Sequence, residues 1–134
     1  AECSGPLVVI SADTAISMMA VNAKQELVGG VILPGPQLSL SALVKNTAQL
    51  PQIDLAAKAP ASILGKSTSS CLQNGFVLGT ASLLDGLAER FCAELGPQTA
   101  FYATGNLPIP IRQACCTPFY TGRPSSQTGC TASG

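Results

Sequence analysis

Hydrophobic positions change period twice along the chain. Leu7 to Ser11 is a short apolar run rich in β-branched residues, which predicts a strand. From Thr14 to Asn22, Ile16, Met18 and Ala20 alternate with Ser17, Met19 and Val21, the period of a second strand. A polar turn over Ala23 to Glu26 leads to Glu26 to Leu33, where Leu27, Val28, Val31 and Ile32 predict a third strand. Gly29-Gly30 interrupts that run and marks a bulge or a close backbone approach. Three strands with such short connections predict an antiparallel meander.

After Pro34-Gly35-Pro36 the period lengthens. Leu38, Leu40, Leu43, Val44 and Leu50 have helical spacing, with Ser39 or Ser41 early and Pro51 as the stop. Ile53 to Leu55 reads as a short edge strand in the connector that follows. Ser67 to Leu95 is the strongest element: apolar residues at 72, 76, 83, 84, 87, 91 and 95 make one helical stripe. Ser67 or Thr68 caps it, and Gly96-Pro97 stops it. Gly75, Gly79 and Gly86 inside it each cost about 1 kcal/mol against alanine, which predicts close helix packing or a break into two helices. Thr99 to Ala103 is a further strand and Thr104-Gly105-Asn106 a turn. Pro108 and Pro110 confine a helix in 107–116 to its second half. From Thr121 to Gly134 no large apolar residue occurs, so 1–120 is expected to fold and 121–134 to be a disordered tail. The order predicts an α/β fold: a mixed sheet with helices packed on it, in the manner of a ribonuclease-H-like domain.

Composition narrows the chemistry. The 134 residues are one domain's worth of chain, 46% apolar and only 10% charged, with seven basic residues balancing seven acidic ones. Zero net charge leaves no basic footprint for nucleic acid, and no apolar run approaches a membrane span. The segment Ala1 to Pro6 lacks the pattern of a secretory signal. The absence of histidine excludes Ser-His-Asp and Cys-His sites and every His-ligated zinc. Cys3, Cys71, Cys92, Cys115, Cys116 and Cys130 show no C-x-x-C pair, against a metal framework. Cys71 and Cys92 lie about 30 Å apart on one helix and cannot bridge each other. The thiols read mainly as small core residues of a cytoplasmic protein, with a secreted, disulfide-bonded chain as the rival. Gly65-Lys66-Ser67 looks like the end of a phosphate-binding loop, but Pro60 stands where its first glycine is needed. Asp85 reads as part of a solvated helix face beside Glu89 and Arg90 rather than as a base.

Several segments in order resemble the type III pantothenate kinase family. Gly29 to Gly35 resembles its G-G-x-I-x-P-G stretch, and Thr47 to Pro51 its T-A-x-L-P. Leu64 to Thr68 resembles I-G-x-N-T, Gln73-Asn74-Gly75 resembles Q-S-G, and Ala103 to Leu107 resembles A-T-G-G-L. Leu84 to Leu87 resembles a further helical segment, and the likeness covers about residues 7–112. The resemblance implies the second, C-terminal half of a kinase of the sugar-kinase, Hsp70 and actin superfamily. Such a kinase has two ribonuclease-H-like halves with ATP between them, usually in a homodimer, and phosphorylates pantothenate in the first step of coenzyme A synthesis. It implies ATP as substrate, a divalent metal, and a monovalent cation, K+ or NH4+.

The family's first-half motifs, a D-x-G-N-T phosphate loop and a G-A-D-R segment with the catalytic base, do not occur in these 134 residues. No catalytic residue is therefore expected here, and a complementing N-terminal half is expected as partner. By resemblance Thr14 and Gly105 are nucleotide-binding and Thr68 is pantothenate-binding. The family's cation-binding aspartate is replaced by Ser11 and a neighbouring glycine by Asp13. Those two changes and the divergent segment after Arg112 support an alternative, a catalytically degenerate binding or regulatory module of the same family.

Overall fold

The computed structural model describes residues 5–46, 50–57 and 62–121. Eight elements follow in order: β1 (Leu7–Ala12), β2 (Ala15–Val21), β3 (Leu27–Pro34), α1 (Pro36–Asn46), α2 (Thr68–Leu95), β4 (Ala100–Gly105), α3 (Ile109–Ala114) and β5 (Tyr120–Thr121). They build a mixed α/β domain with one five-stranded sheet in the order β3-β2-β1-β4-β5. β1 pairs antiparallel with β2, and β2 with β3. β1 pairs parallel with β4, and β4 with β5.

Alternation along β1 and β2 fixes their register. Leu7 faces Val21 and Ala12 faces Ile16, which sends Val8, Ile10, Ala12, Ile16, Met18 and Ala20 to one face, all buried. A slip of one residue would turn that whole set to the other side. The pairing of β2 with β3 shifts at Ala20/Val21, opposite the glycine pair, and a Cβ on Gly30 would strike the Met18 carbonyl. Bulge and close approach therefore coincide at Gly29-Gly30.

α2 is one unbroken helix of 28 residues. Ser67 caps it: its hydroxyl accepts from Ser70 N–H (3.1 Å), while Ser70 Oγ accepts from Ser67 N–H (2.9 Å). The predicted stripe largely faces the core: Leu84 is buried and Phe76, Leu87, Phe91 and Leu95 pack against it. Val77, Ala81, Leu84 and Ala88 are buried, whereas Leu83 is exposed. The smaller Val77, Ala81 and Ala88 are buried beside that stripe and join the same core. Gly75, Gly79 and Gly86 mark neither a break nor a packed contact, since a Cβ at each would meet nothing within 4 Å.

Other boundaries move for local reasons. α1 starts at Pro36, where the missing N–H is no loss in a first helical turn, and it ends at Asn46. Residues 47–49, where the helix was expected to continue, lie outside the described residues. Ile53 to Leu55 forms no strand: Asp54 Oδ1 accepts from Ala56 N–H (2.9 Å) in a turn, and Leu55 is buried. β4 runs on through Thr104 and Gly105, expected as a turn, because both pair with the end of β1. α3 begins at Ile109 with Pro110 in its first turn, so Pro110 does not delay it. β5 reaches Thr121, and the remainder of the expected tail, 122–134, lies outside the described residues. No helix among the described residues is long and apolar enough to cross a membrane.

Of the cysteines, Cys71 and Cys116 are exposed and Cys92 and Cys115 half-buried, all four free. Cys92 and Cys115 pack against the core as expected, whereas Cys71 and Cys116 do not. Cys3 and Cys130 lie outside the described residues.

Candidate functional site

The carboxyl ends of the parallel strands β1 and β4 lie side by side, with Ser11 opposite Thr104 and Ala12 opposite Gly105. From there the chain leaves in different directions, β1 into the turn to β2 and β4 toward α3. In open α/β sheets ligands sit outside the carboxyl ends of the strands.

Three backbone contacts hold this end together. Asp13 N–H donates to Ala15 O (2.9 Å), closing the β1–β2 turn. Gly35 N–H donates to Thr14 O (2.9 Å), and a Cβ at Gly35 would lie 2.7 Å from that oxygen and 2.8 Å from Asp13 O. Asn106 N–H donates to Ala12 O (2.7 Å). Gly105 takes φ +90°, and a Cβ there would collide with the same Ala12 carbonyl. Two glycines thus let two loops close onto the turn that carries Thr14. Ser11, Asp13 and Thr14 are all exposed at this end.

Ser11 sits between Ser17 on β2 and Thr104 on β4. Directly opposed residues share a face of the sheet, so these three hydroxyl side chains form a neutral row. Thr104 Oγ1 donates to Ile10 O at 3.4 Å.

Thr68 stands apart from this cluster, in the first turn of α2. Farther along α2, Gly75, Phe76, Gly79, Thr80 and Leu83 flank Leu33, Pro34 and Pro36 across a shallow cavity. Pro34 pairs with Ala15, so this part of α2 lies at the same end of the sheet as Thr14. Thr68 is seven residues before Gly75, about 10 Å farther out along the helix axis. The helix start is fixed by its lead-in. Ser70 Oγ also accepts from Lys66 N–H (2.9 Å), and a Cβ on Gly65 would lie 2.7 Å from Cys71 N. Gly65 to Ser67 is therefore a cap wrapped onto the helix, and Pro60 lies outside the described residues.

Two side chains whose part the sequence did not reveal anchor this arrangement. Asn74, buried, donates from Nδ2 to Ser62 O and Ile63 O (2.9 Å each). Gln73 Nε2 donates to Asp54 O (3.1 Å). A polar amide next to a helix's buried face was the available signal, but its partners are loop carbonyls that no sequence pattern marks.

Asp85 is not a free carboxylate on a solvated face. It accepts from Cys116 N–H (2.8 Å), Thr117 N–H (3.0 Å) and Thr117 Oγ1 (2.7 Å). Burial pushes its pKa up, but these hydrogen bonds outweigh that and hold it below the ordinary aspartate value. Its lone pairs are engaged in pinning the segment after α3. Cys115, next to it, has its thiol pushed up to about 12, first by burial and then by the nearby Asp85 carboxylate, so it is no nucleophile. Among the described residues, no three His, Cys, Asp or Glu side chains gather where they could hold a metal ion.

The chain is a mixed α/β domain with glycine-tightened turns at the carboxyl ends of its parallel strands. A sequence profile of the type III pantothenate kinase family matches residues 1–90. The chain is 41% identical over 103 residues to a type III pantothenate kinase of Frankia alni, covering 77% of this chain and 40% of that protein. It is 38% identical over 128 residues to type III pantothenate kinase 2 of Symbiobacterium thermophilum, covering 93% of this chain and 48% of that one. Among solved structures, a conserved Campylobacter jejuni protein assigned to the Baf family of transcriptional activators superposes with a TM-score of 0.47 at 22% identity, over 87% of this chain and 50% of that chain. The chain belongs to the type III pantothenate kinase family. It spans less than half the length of the two kinases it matches.

Proposed function

We propose that this chain is the C-terminal, ribonuclease-H-like half of a type III pantothenate kinase and supplies one wall of its active site. The observation that carries the reading is the convergence of Thr14, Gly35 and Gly105 at the carboxyl ends of β1 and β4 in a chain of this family. Gly105 lets backbone approach the nucleotide closely, and the exposed Thr14 hydroxyl offers a donor to ATP. Thr68, at the α2 N-terminus, faces pantothenate, whose carboxylate suits the partial positive charge there.

Phosphoryl transfer rests on positioning and charge neutralisation plus a base for the attacking hydroxyl. This half contributes positioning, and Asp85 is engaged in structural hydrogen bonds rather than free to act as the base. The phosphate loop and the base come from a complementing N-terminal half. A divalent metal would be carried by the triphosphate, since among the described residues no three His, Cys, Asp or Glu side chains gather to hold one. Free thiols suit a cytoplasmic site of action, and a homodimer is the assembly the family implies.

The test mixes this chain with the first half of a family member and assays ATP-dependent formation of phosphopantothenate. The pair should turn over and neither polypeptide alone should. Thr14→Val should raise the KM for ATP and Thr68→Val that for pantothenate, each by about tenfold, the loss of one hydrogen bond of about 1.4 kcal/mol. Turnover by this chain alone, or a pair indifferent to both substitutions, would overturn the reading.

A further inference from the structure

We infer that the sheet-end site of this chain works without the monovalent cation that its family resemblance implies, because residue 11 no longer supplies the charge to hold one. The inference deepens the nucleotide-site reading above and rests on it for the site's role, but its test needs neither turnover nor a partner half.

A cation leaving water requires compensation from an anionic ligand or a cage of oriented oxygens. Residue 11 offers neither. Ser11 lies in a row with Ser17 and Thr104, three neutral hydroxyls. The Thr104 hydroxyl is directed to Ile10 O. Two neighbouring carbonyls already hold one donor each: Ala12 O accepts from Asn106 N–H and Thr14 O from Gly35 N–H.

The nearest carboxylate in sequence, Asp13, is displaced rather than equivalent. It lies past the end of β1, exposed, two residues and about 7 Å farther along the strand direction. No hydrogen bond or ion pair fixes its carboxylate among the described residues. A single solvent-exposed carboxylate gains little from a monovalent ion at physiological ionic strength. No second carboxylate joins it: among the described residues no three His, Cys, Asp or Glu side chains gather.

The experiment is thermal unfolding of the whole chain in KCl, NH4Cl and choline chloride at equal ionic strength, with and without ATP. The wild-type midpoint should be the same in all three salts, to within about 1 °C. Ser11→Asp should acquire a midpoint higher in K+ or NH4+ than in choline by several degrees, as binding to the folded state alone requires. A K+- or NH4+-specific rise in the wild type overturns the inference, and its loss in Asp13→Asn would place the ion on the displaced carboxylate. A Ser11→Asp variant that folds yet ignores the cation in both arms also overturns it, since residue 11 would then not decide binding. Failure of the two-half kinase assay leaves these melting curves interpretable, so the two readings fail separately.

Discussion

One methyl group at Gly105 should disturb the whole sheet end. The residue adopts φ +90°, where a side chain is strained, and its Cβ would strike the Ala12 carbonyl that Asn106 N–H already occupies. Neither the strand pair nor the turn can move aside without breaking hydrogen bonds. Gly105→Ala should therefore lose about 2–4 kcal/mol, read as a lower urea midpoint with an unchanged slope. The sequence marks Gly105 as a position needing freedom. It does not identify Ala12 as the reason, because the two meet only through the parallel pairing of β1 with β4. Thr14 is legible in the same limited sense: its turn follows from the alternation on either side. The Gly35 contact that supports it depends on how β3 returns beside β2.

At the scale of elements, α2 separates what pattern can show from what packing decides. Its existence, its Ser67 cap and its stop at Gly96 all follow from local signals. The face it buries follows in part, since Leu84 is buried and Phe76, Leu87, Phe91 and Leu95 pack on the core, while Leu83 is left outside and Val77, Ala81 and Ala88 are buried instead. Weighting by side-chain size finds the large residues of the stripe and misses the small ones buried beside them. The glycines follow the same logic in reverse. Gly79 faces open space, so Gly79→Ala should stabilise the chain by about 0.5–1 kcal/mol through helix propensity alone. Denaturant unfolding of the two proteins at equal concentration measures this. A destabilised variant would mean that something packs against that face. The short Ile53 to Leu55 run failed as a strand for a related reason: Asp54 turns the backbone there, and only Leu55 is drawn into the core.

For the molecule as a whole, scarce charge makes one carboxylate matter. Asp85 ties the middle of α2 to Cys116 and Thr117 and so holds the lead-in to β5. Its pKa is lower folded than unfolded, so its stabilisation is full above the ordinary aspartate range. That stabilisation drains away as pH falls through the folded value. Asp85→Asn should be less stable than wild type by about 1–3 kcal/mol at pH 7, the worth of hydrogen bonds to a charged group. The gap should close on acidification, and urea curves taken from pH 7 to pH 2 would show the two converging. Asp85 looked like a surface charge in sequence because its partners come from a segment about thirty residues away that carries no periodic signal. The sheet order also governs how the chain is made. β1 is central in the finished sheet, yet its neighbour β4 is synthesised only after α2. At about 5–20 residues per second, the first three strands wait several seconds with one side of β1 bare. An apolar strand with unpaired backbone is a template for wrong partners. The innermost strand is thus the nascent chain's most vulnerable edge until the long helix has been translated.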